Sequence, residues 1–418
     1  MGTVWIKHAA QLITMGHHVT GPRRKETMNE LEIIEDGSIW IEHGIIQAVG
    51  KTKDLEEKYA ARAHEAKVTD ASGYLVTPGL VDPHTHVVFG GSREREFEKR
   101  LQGVSYMDIM NAGGGIHATT KMTREATEEE LIAQTLPRLD SFLAHGVTTI
   151  EGKSGYGLDQ ENELKQLRVM QALKEEHVID IIPTFMGAHA VPGEFKGRED
   201  AFVDLIINEM LPIVAKEGLA KFNDVFCEVG VFTPEQSARI LEAGKQYGLI
   251  PKIHADEIEP YGGAELAAKV GAISAEHLLK ASEEGMEKMA EAGTIACLLP
   301  ATALYLREQA AEGRKMIDKG VPVAISTDCN PGSSPTTSMP LVMNLACISM
   351  QLTPAEALTA ATYNAACAIN MQDQVGSLEV GKQGDIVLWD VENYQKLQYL
   401  FGVNHAKKVW KKGIQVVG

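Results

Sequence analysis

Two histidines stand one residue apart in the stretch LVDPHTHVVFGG (residues 80–91), just behind the apolar run that opens at Leu80. Side chains of an extended segment alternate faces, so His84 and His86 project to the same side and can converge on one point. A neutral imidazole is a good ligand for a borderline divalent cation and titrates near neutral pH. A pair of satisfied surface or core histidines would have the same spacing. What decides between the two is whether other ligand-type residues stand at comparable positions.

Elements able to bring such residues together recur through the middle of the chain. Eight short apolar runs cover 80–86, 147–153, 179–186, 222–228, 250–255, 273–277, 294–298 and 321–328. Helical patterns such as TEEELIAQTLPRLDSFLAHG, ENELKQLRVMQALKEEH, TPEQSARILEAGKQYG and ASEEGMEKMAEAG separate them, several opening on Thr, Ser or Asp caps and closing on Gly. Strand–helix alternation predicts a parallel sheet, and eight units predict a (β/α)8 TIM-type barrel. A doubly wound open sheet is disfavoured, because no G-x-G-x-x-G follows the first run. The connection from 89 to 144 is unusually long, and its NAGGGIHATT (111–120) is a candidate lid. LTPAEALTAATYNAACAI (352–369) reads as one capped helix.

The chain ends read as β. SIWIEHGIIQAVG (38–50) is a hairpin signal around His43-Gly44, while GSLEVGKQGDIVLWDV (376–391) and KKVWKKGIQVVG (407–418) are short strands divided by glycine turns. Neither end supplies enough sheet alone. Pairing them predicts a small β-sandwich domain built from both termini, residues 1–76 and 369–418, around a barrel of residues 77–368.

In such a barrel, chemistry gathers at the C-terminal strand ends. The fifth run ends in His254, with Glu257 three residues on; the sixth ends in His277 and the eighth in Asp328. Three imidazoles and a carboxylate suit one divalent ion, zinc or iron, so His84, His86, His254 and Asp328 are the expected metal ligands. The ion would lower the pKa of a bound water from ~15.7 towards ~7, and the resulting hydroxide would attack a carbonyl. Asp328 would accept the water's proton, and Glu257 would pass one to a leaving nitrogen. His277 would either orient the site or polarise the attacked carbonyl. Cys329 alternates away from Asp328 and reads as a packing residue.

Composition narrows the partners. The net charge is −17, from Lys+Arg 40 against Asp+Glu 57, which disfavours nucleic acid or an anionic membrane as the main partner. The five cysteines show no CxxC spacing and read as free thiols in a reducing compartment. No secretory signal and no bilayer-length apolar run is evident, so a cytoplasmic protein is expected.

PGLVDPHTH, KIHADE, AEHL, STDCNPG and GSLEVGKQGDIVLWD together resemble the metal-dependent amidohydrolase superfamily. HTHVVFGGSREREFEKRLQGVSYMDIMNAGGGI, TIEGKSGYGL, TFMGAHAVP and STDCNPGSSP are similar to its imidazolone-opening branch, and the resemblance runs over essentially the whole chain. It implies a homodimeric enzyme of histidine degradation that hydrolyses 4-imidazolone-5-propanoate to N-formimidoyl-L-glutamate with one zinc or iron. It implies the same four metal ligands, with Arg93 on the substrate's propionate and Tyr156 and His189 in contact with the substrate. Glu257 would bond the ring, and Asn330, Gly332 and Ser333 would hold the ring or the product. Some superfamily members bridge two metals with a strand-end lysine. Lys153, however, ends the second run, and the fourth ends in FCEVG, so one metal is expected and Lys153 reads as an ion-pairing or substrate-shell residue. Without the resemblance, SREREFEKR is a solvated helix face, and Tyr156 and His189 are packing or capping residues. Two other functions compete: a nucleobase or other cyclic-amide hydrolase or deaminase, and a non-catalytic scaffold of the same fold.

Overall fold

The computed structural model describes residues 2–16, 21–104, 108 and 113–418. The eight predicted runs are strands of one parallel sheet, paired in sequence order from Leu80–Asp82 through Val147–Lys153, Asp180–Ala188, Phe222–Cys227, Ile250–Ala255, Ser274–His277, Ile295–Leu298 and Val323–Ile325. The ring is closed between first and last by a parallel bridge, Thr85 to Cys329, with His86 N–H donating to the Cys329 carbonyl at 3.0 Å. Side chains sew the same seam, since Ser326 Oγ donates to Asp82 and, at 2.6 Å, to the His84 carbonyl. The first strand stops sooner than its apolar run because Pro83 has no N–H to give a ladder.

Outside the ring, the predicted helices form with their caps. Thr127 and Thr233 each complete a capping box, at the heads of Glu128–Ala144 and Pro234–Gln246. Asp159 caps Gln160–Glu176, and Ser282 caps Glu283–Ala292. The segment read as one helix over 352–369 is two, Pro354–Ala360 and Tyr363–Ala368. The break has a tertiary cause: the Ala361 carbonyl accepts from Val81 N–H of the first barrel strand at 2.9 Å, which takes it out of any helical ladder. Of the candidate lid, Asn111 and Ala112 lie outside the described residues, and Ile116–Glu125 is a helix.

Both chain ends enter a second, mixed sheet. Its path runs Ile414–Val417, Ala406–Lys411, Ile386–Trp389, Leu75–Pro78, Thr3–Ile13, Ile33–Glu42 and Ile45–Lys51, with Ala66–Asp70 also paired to Thr3–Ile13. The hairpin expected at His43-Gly44 is present, both residues having positive φ (51° and 84°), as a two-residue turn matched to strand twist requires. Val4, Ile6, Ile39 and Ile41 from one part of this sheet share an apolar cluster with Val76, Ile386, Leu388 and Trp410 from the other, so the predicted terminal β domain is a single mixed sheet with a shared core. Among the described residues no helix is long and apolar enough to cross a membrane.

Candidate active site

His84 and His86 sit just past the first strand, their rings turned inwards, while Thr85 between them faces the second strand. Thr85 Oγ1 donates to the Glu151 carbonyl at 2.6 Å, and the Thr85 carbonyl accepts from Lys153 N–H at 2.8 Å. His254 comes up from the fifth strand and Asp328 from the eighth. The four meet: His84 Nε2 and His86 Nε2 lie 3.4 and 3.9 Å from Asp328 Oδ1, and His86 Nε2 lies 3.4 Å from His254 Nε2. All four are buried. Asp328 Oδ2 is held by Thr302 Oγ1, which donates to it at 2.7 Å, so Oδ1 is left to the histidines.

These donors fit a cation. Both ring nitrogens of His84 and Nδ1 of His86 are buried without a hydrogen-bond partner, a costly state that a bound ion would relieve. Burial keeps His84, His86 and His277 well below the usual imidazole range, the neutral form that ligates metal. Burial also raises Asp328, to about 7. His84, His86 and Asp328 form one group with metal-ligand spacing, and His84, His254 and His277 form another. Asp328 and His277 are both held at positive φ (52° and 70°), a conformation that costs energy and that packed surroundings must impose.

Beneath the histidines lies a buried ionic floor. Lys153 Nζ donates to Glu151 at 3.0 Å and Asp224 at 2.6 Å; Lys252 Nζ donates to Glu151 and the Pro83 carbonyl, both at 3.0 Å. Asp224 Oδ1 accepts from His254 Nδ1 at 3.2 Å, which turns the Nε2 lone pair towards the centre. Glu276 Oε2 lies 3.9 Å from His84 Nδ1 and 3.8 Å from His254 Nδ1. Sequence reasoning passed over Asp224, Glu276, Glu151 and Lys252. A signal was present: Glu151 with Lys153, and Lys252 with His254, share strand parity, so each pair faces the barrel interior. Lys153 is ion-paired, as expected, and the group Asp224, His254 and Glu276 has its ammonium against it.

The remaining predicted residues ring the centre. Tyr156 and His189 are packed against His86, with ring centroids 5.6 and 4.8 Å away. His189 Nδ1 donates to the Gly155 carbonyl at 3.0 Å, leaving Nε2 as an acceptor. Glu257 Oε1 lies 3.5 Å from His277 Nδ1, and burial, with Asp328 nearby, pushes the Glu257 carboxyl up to about 8. Arg93 precedes the helix Glu94–Leu101 rather than lying within it, and Glu96 accepts from its Nε at 2.8 Å. Its Nη1 lies so close to Gly332 that a Cβ there would collide with it. Asn330 is spent locally: Oδ1 accepts from the N–H groups of Gly332 and Ser333, both at 2.8 Å, and Nδ2 donates to the Asp328 carbonyl at 2.7 Å. It therefore shapes the turn that follows Asp328. Cys329 is buried, and burial pushes its thiol up to about 12, so it packs as a neutral group.

A barrel with this rim defines a class. The chain belongs to the amidohydrolase family, whose sequence model matches residues 75–416. That family is metal-dependent. Imidazolonepropionase of Brevibacillus brevis is 64% identical over 99% of this chain and 98% of its own length, and that of a Geobacillus strain is 61% identical over 100% and 98%. The chain is thus a member of the imidazolonepropionase branch. Among solved structures, guanine deaminase of E. coli superposes with a TM-score of 0.70 at 16% identity, covering 100% of this chain and 99% of its own. That likeness concerns the fold alone.

Proposed function

We propose that this chain is a metal-dependent hydrolase that opens the ring of 4-imidazolone-5-propanoate to N-formimidoyl-L-glutamate, a step of histidine degradation. The observation that carries the reading is the convergence of His84, His86, His254 and Asp328 with buried ring nitrogens left unpaired, in a chain 64% identical to an imidazolonepropionase. Those four residues would hold one zinc or iron ion. A cation there supplies a Lewis acid that acidifies water and polarises a carbonyl.

The chain's own groups divide the remaining work. Asp328, steadied by the Thr302 hydroxyl on Oδ2, takes the proton of the attacking water. Attack at the ring carbonyl breaks its bond to the ring nitrogen, and Glu257, protonated at neutral pH, delivers a proton to that nitrogen as it leaves. His277 beside Glu257 steadies the carbonyl oxygen. Tyr156 and His189 flank the substrate on the side of His86. Arg93 engages the propionate through Nη1 and Nη2 once the Glu96 contact yields. Glu257 also bonds the ring, while Gly332 and Ser333, on the turn that Asn330 braces, line the ring or product. A nucleobase has no carboxylate for Arg93. We read the enzyme as a cytoplasmic homodimer.

Purified protein loaded with zinc or iron is to be incubated with imidazolone propionate while the ultraviolet absorbance of the substrate is followed. Loss of absorbance that a chelator abolishes is expected, with about one metal per chain by elemental analysis. Turnover of guanine or adenine with imidazolone propionate untouched would overturn the reading.

A further inference from the structure

Four consecutive backbone N–H groups after the second barrel strand are taken by two side chains of the helix Gln160–Glu176. Glu163 accepts from Gly155 at 3.0 Å and from Gly157 and Leu158 at 2.8 Å, and Gln166 Oε1 accepts from Tyr156 N–H at 3.0 Å. Gln166 also donates through Nε2 to the Val88 carbonyl at 2.7 Å, tying this turn to the one that follows His86. On the outer side Arg124 donates from Nε to the Gly157 carbonyl at 2.6 Å and from Nη2 to Glu194 at 3.0 Å. His189, on the third connection, donates to the Gly155 carbonyl.

The turn has little freedom to be otherwise. Gly155 (φ +111°) and Leu158 (φ +53°) lie at positive φ, and a Cβ on Gly157 would strike the backbone of Glu163. Glu163 and Gln166 are fully buried. A buried carboxylate is tolerated only where donors surround it, and here the donors are the backbone that carries Tyr156. Fixing that backbone fixes the ring, 5.6 Å from His86 and 5.4 Å from His189.

We propose that Glu163 and Gln166 are positioning residues, setting the turn that holds Tyr156, and His189 through Gly155, at substrate distance. The inference rests on the substrate contact assigned to Tyr156 above. Displacing a substrate-positioning group by about 1 Å costs up to ~10²-fold in rate.

The test is a double-mutant cycle in kcat/KM between Glu163→Gln and Tyr156→Phe, with metal content read alongside. Glu163→Gln places an amide where the turn needs an acceptor. It should lower kcat/KM by about 10- to 100-fold with metal content unchanged, and by less than about threefold once Tyr156 is already Phe. A penalty equal in both backgrounds marks a merely structural residue and overturns the inference. So does a folded Glu163→Gln enzyme with wild-type kinetics. If Glu163→Gln does not fold, Arg124→Gln, which removes the donor to the Gly157 carbonyl, is expected to repeat the pattern at about 3- to 10-fold, and additivity there overturns the inference equally. Full activity of Tyr156→Phe alone would remove the contact, and the inference with it, while leaving the hydrolase reading intact.

Discussion

In the barrel interior, Lys153 donates to two carboxylates and Lys252 to a carboxylate and a carbonyl. Immediately above, at the rim, His84 buries both ring nitrogens with no partner and His86 buries one. Both layers remove polar groups from water, which is expensive in either place. The floor recovers most of that cost by internal pairing, Glu276 Oε2 alone of its named carboxylate oxygens being left without a hydrogen-bond partner. The rim recovers it only when something else arrives. The contrast locates chemistry within a barrel that is polar in two layers: function sits where satisfaction has been left open.

Breaking each layer in turn should separate the two. The largest effect is expected from the rim, where His86→Asn should lower kcat/KM by about 10³-fold or more through loss of a metal ligand. The same variant should leave the urea midpoint of the metal-free protein nearly unchanged, since the ring gives up only a long, 3.4 Å contact with His254 Nε2 and a nitrogen, Nδ1, that was buried without a partner. Lys153→Met attacks the floor and strands buried carboxylates. It should cost about 3–5 kcal/mol of stability in urea unfolding of the metal-free protein, whatever its kinetics. A His86→Asn protein that unfolds as readily as Lys153→Met would abolish the distinction between the layers. Arg93→Ala, outside both layers, should raise KM by about 10²-fold as a charge-assisted carboxylate contact is lost, with metal content normal by elemental analysis. Thr302→Val should have the smallest effect, about 3- to 10-fold in kcat, because Asp328 loses one hydrogen bond but keeps its place. An unchanged KM for Arg93→Ala would refute its role on the propionate.

Much of this contrast could be read in the chain. Apolar runs and capped helices foretold the barrel, and the polar residues ending those runs foretold that His84, His86, His254 and Asp328 would lie together. The floor escaped notice because a charge inside an apolar run looks like an interruption of the core. Lys252 in PKIHA and Glu276 in SAEH acquire meaning only when neighbouring strands bring counter-charges beside them. The break between Ala360 and Tyr363 was equally hidden, since an alanine-rich stretch favours helix and only a strand far away in sequence claims the Ala361 carbonyl. Tyr156, His189 and Arg93 were visible only through resemblance, because single polar residues on loops carry no periodicity. Glu163 and Gln166, which bond the turn that carries Tyr156, lay unmarked on an ordinary-looking helix face.

The seam between the first and last barrel strands has a mechanical consequence. His84 and His86 stand on one lip of that seam and Asp328 on the other, alongside the Thr85–Cys329 bridge. An ion held by both lips would rivet the ring shut at this joint. Stripping it should loosen the hoop first at this point, so that amide protons of Thr85, His86 and Cys329 exchange faster while the opposite wall of the barrel stays quiet.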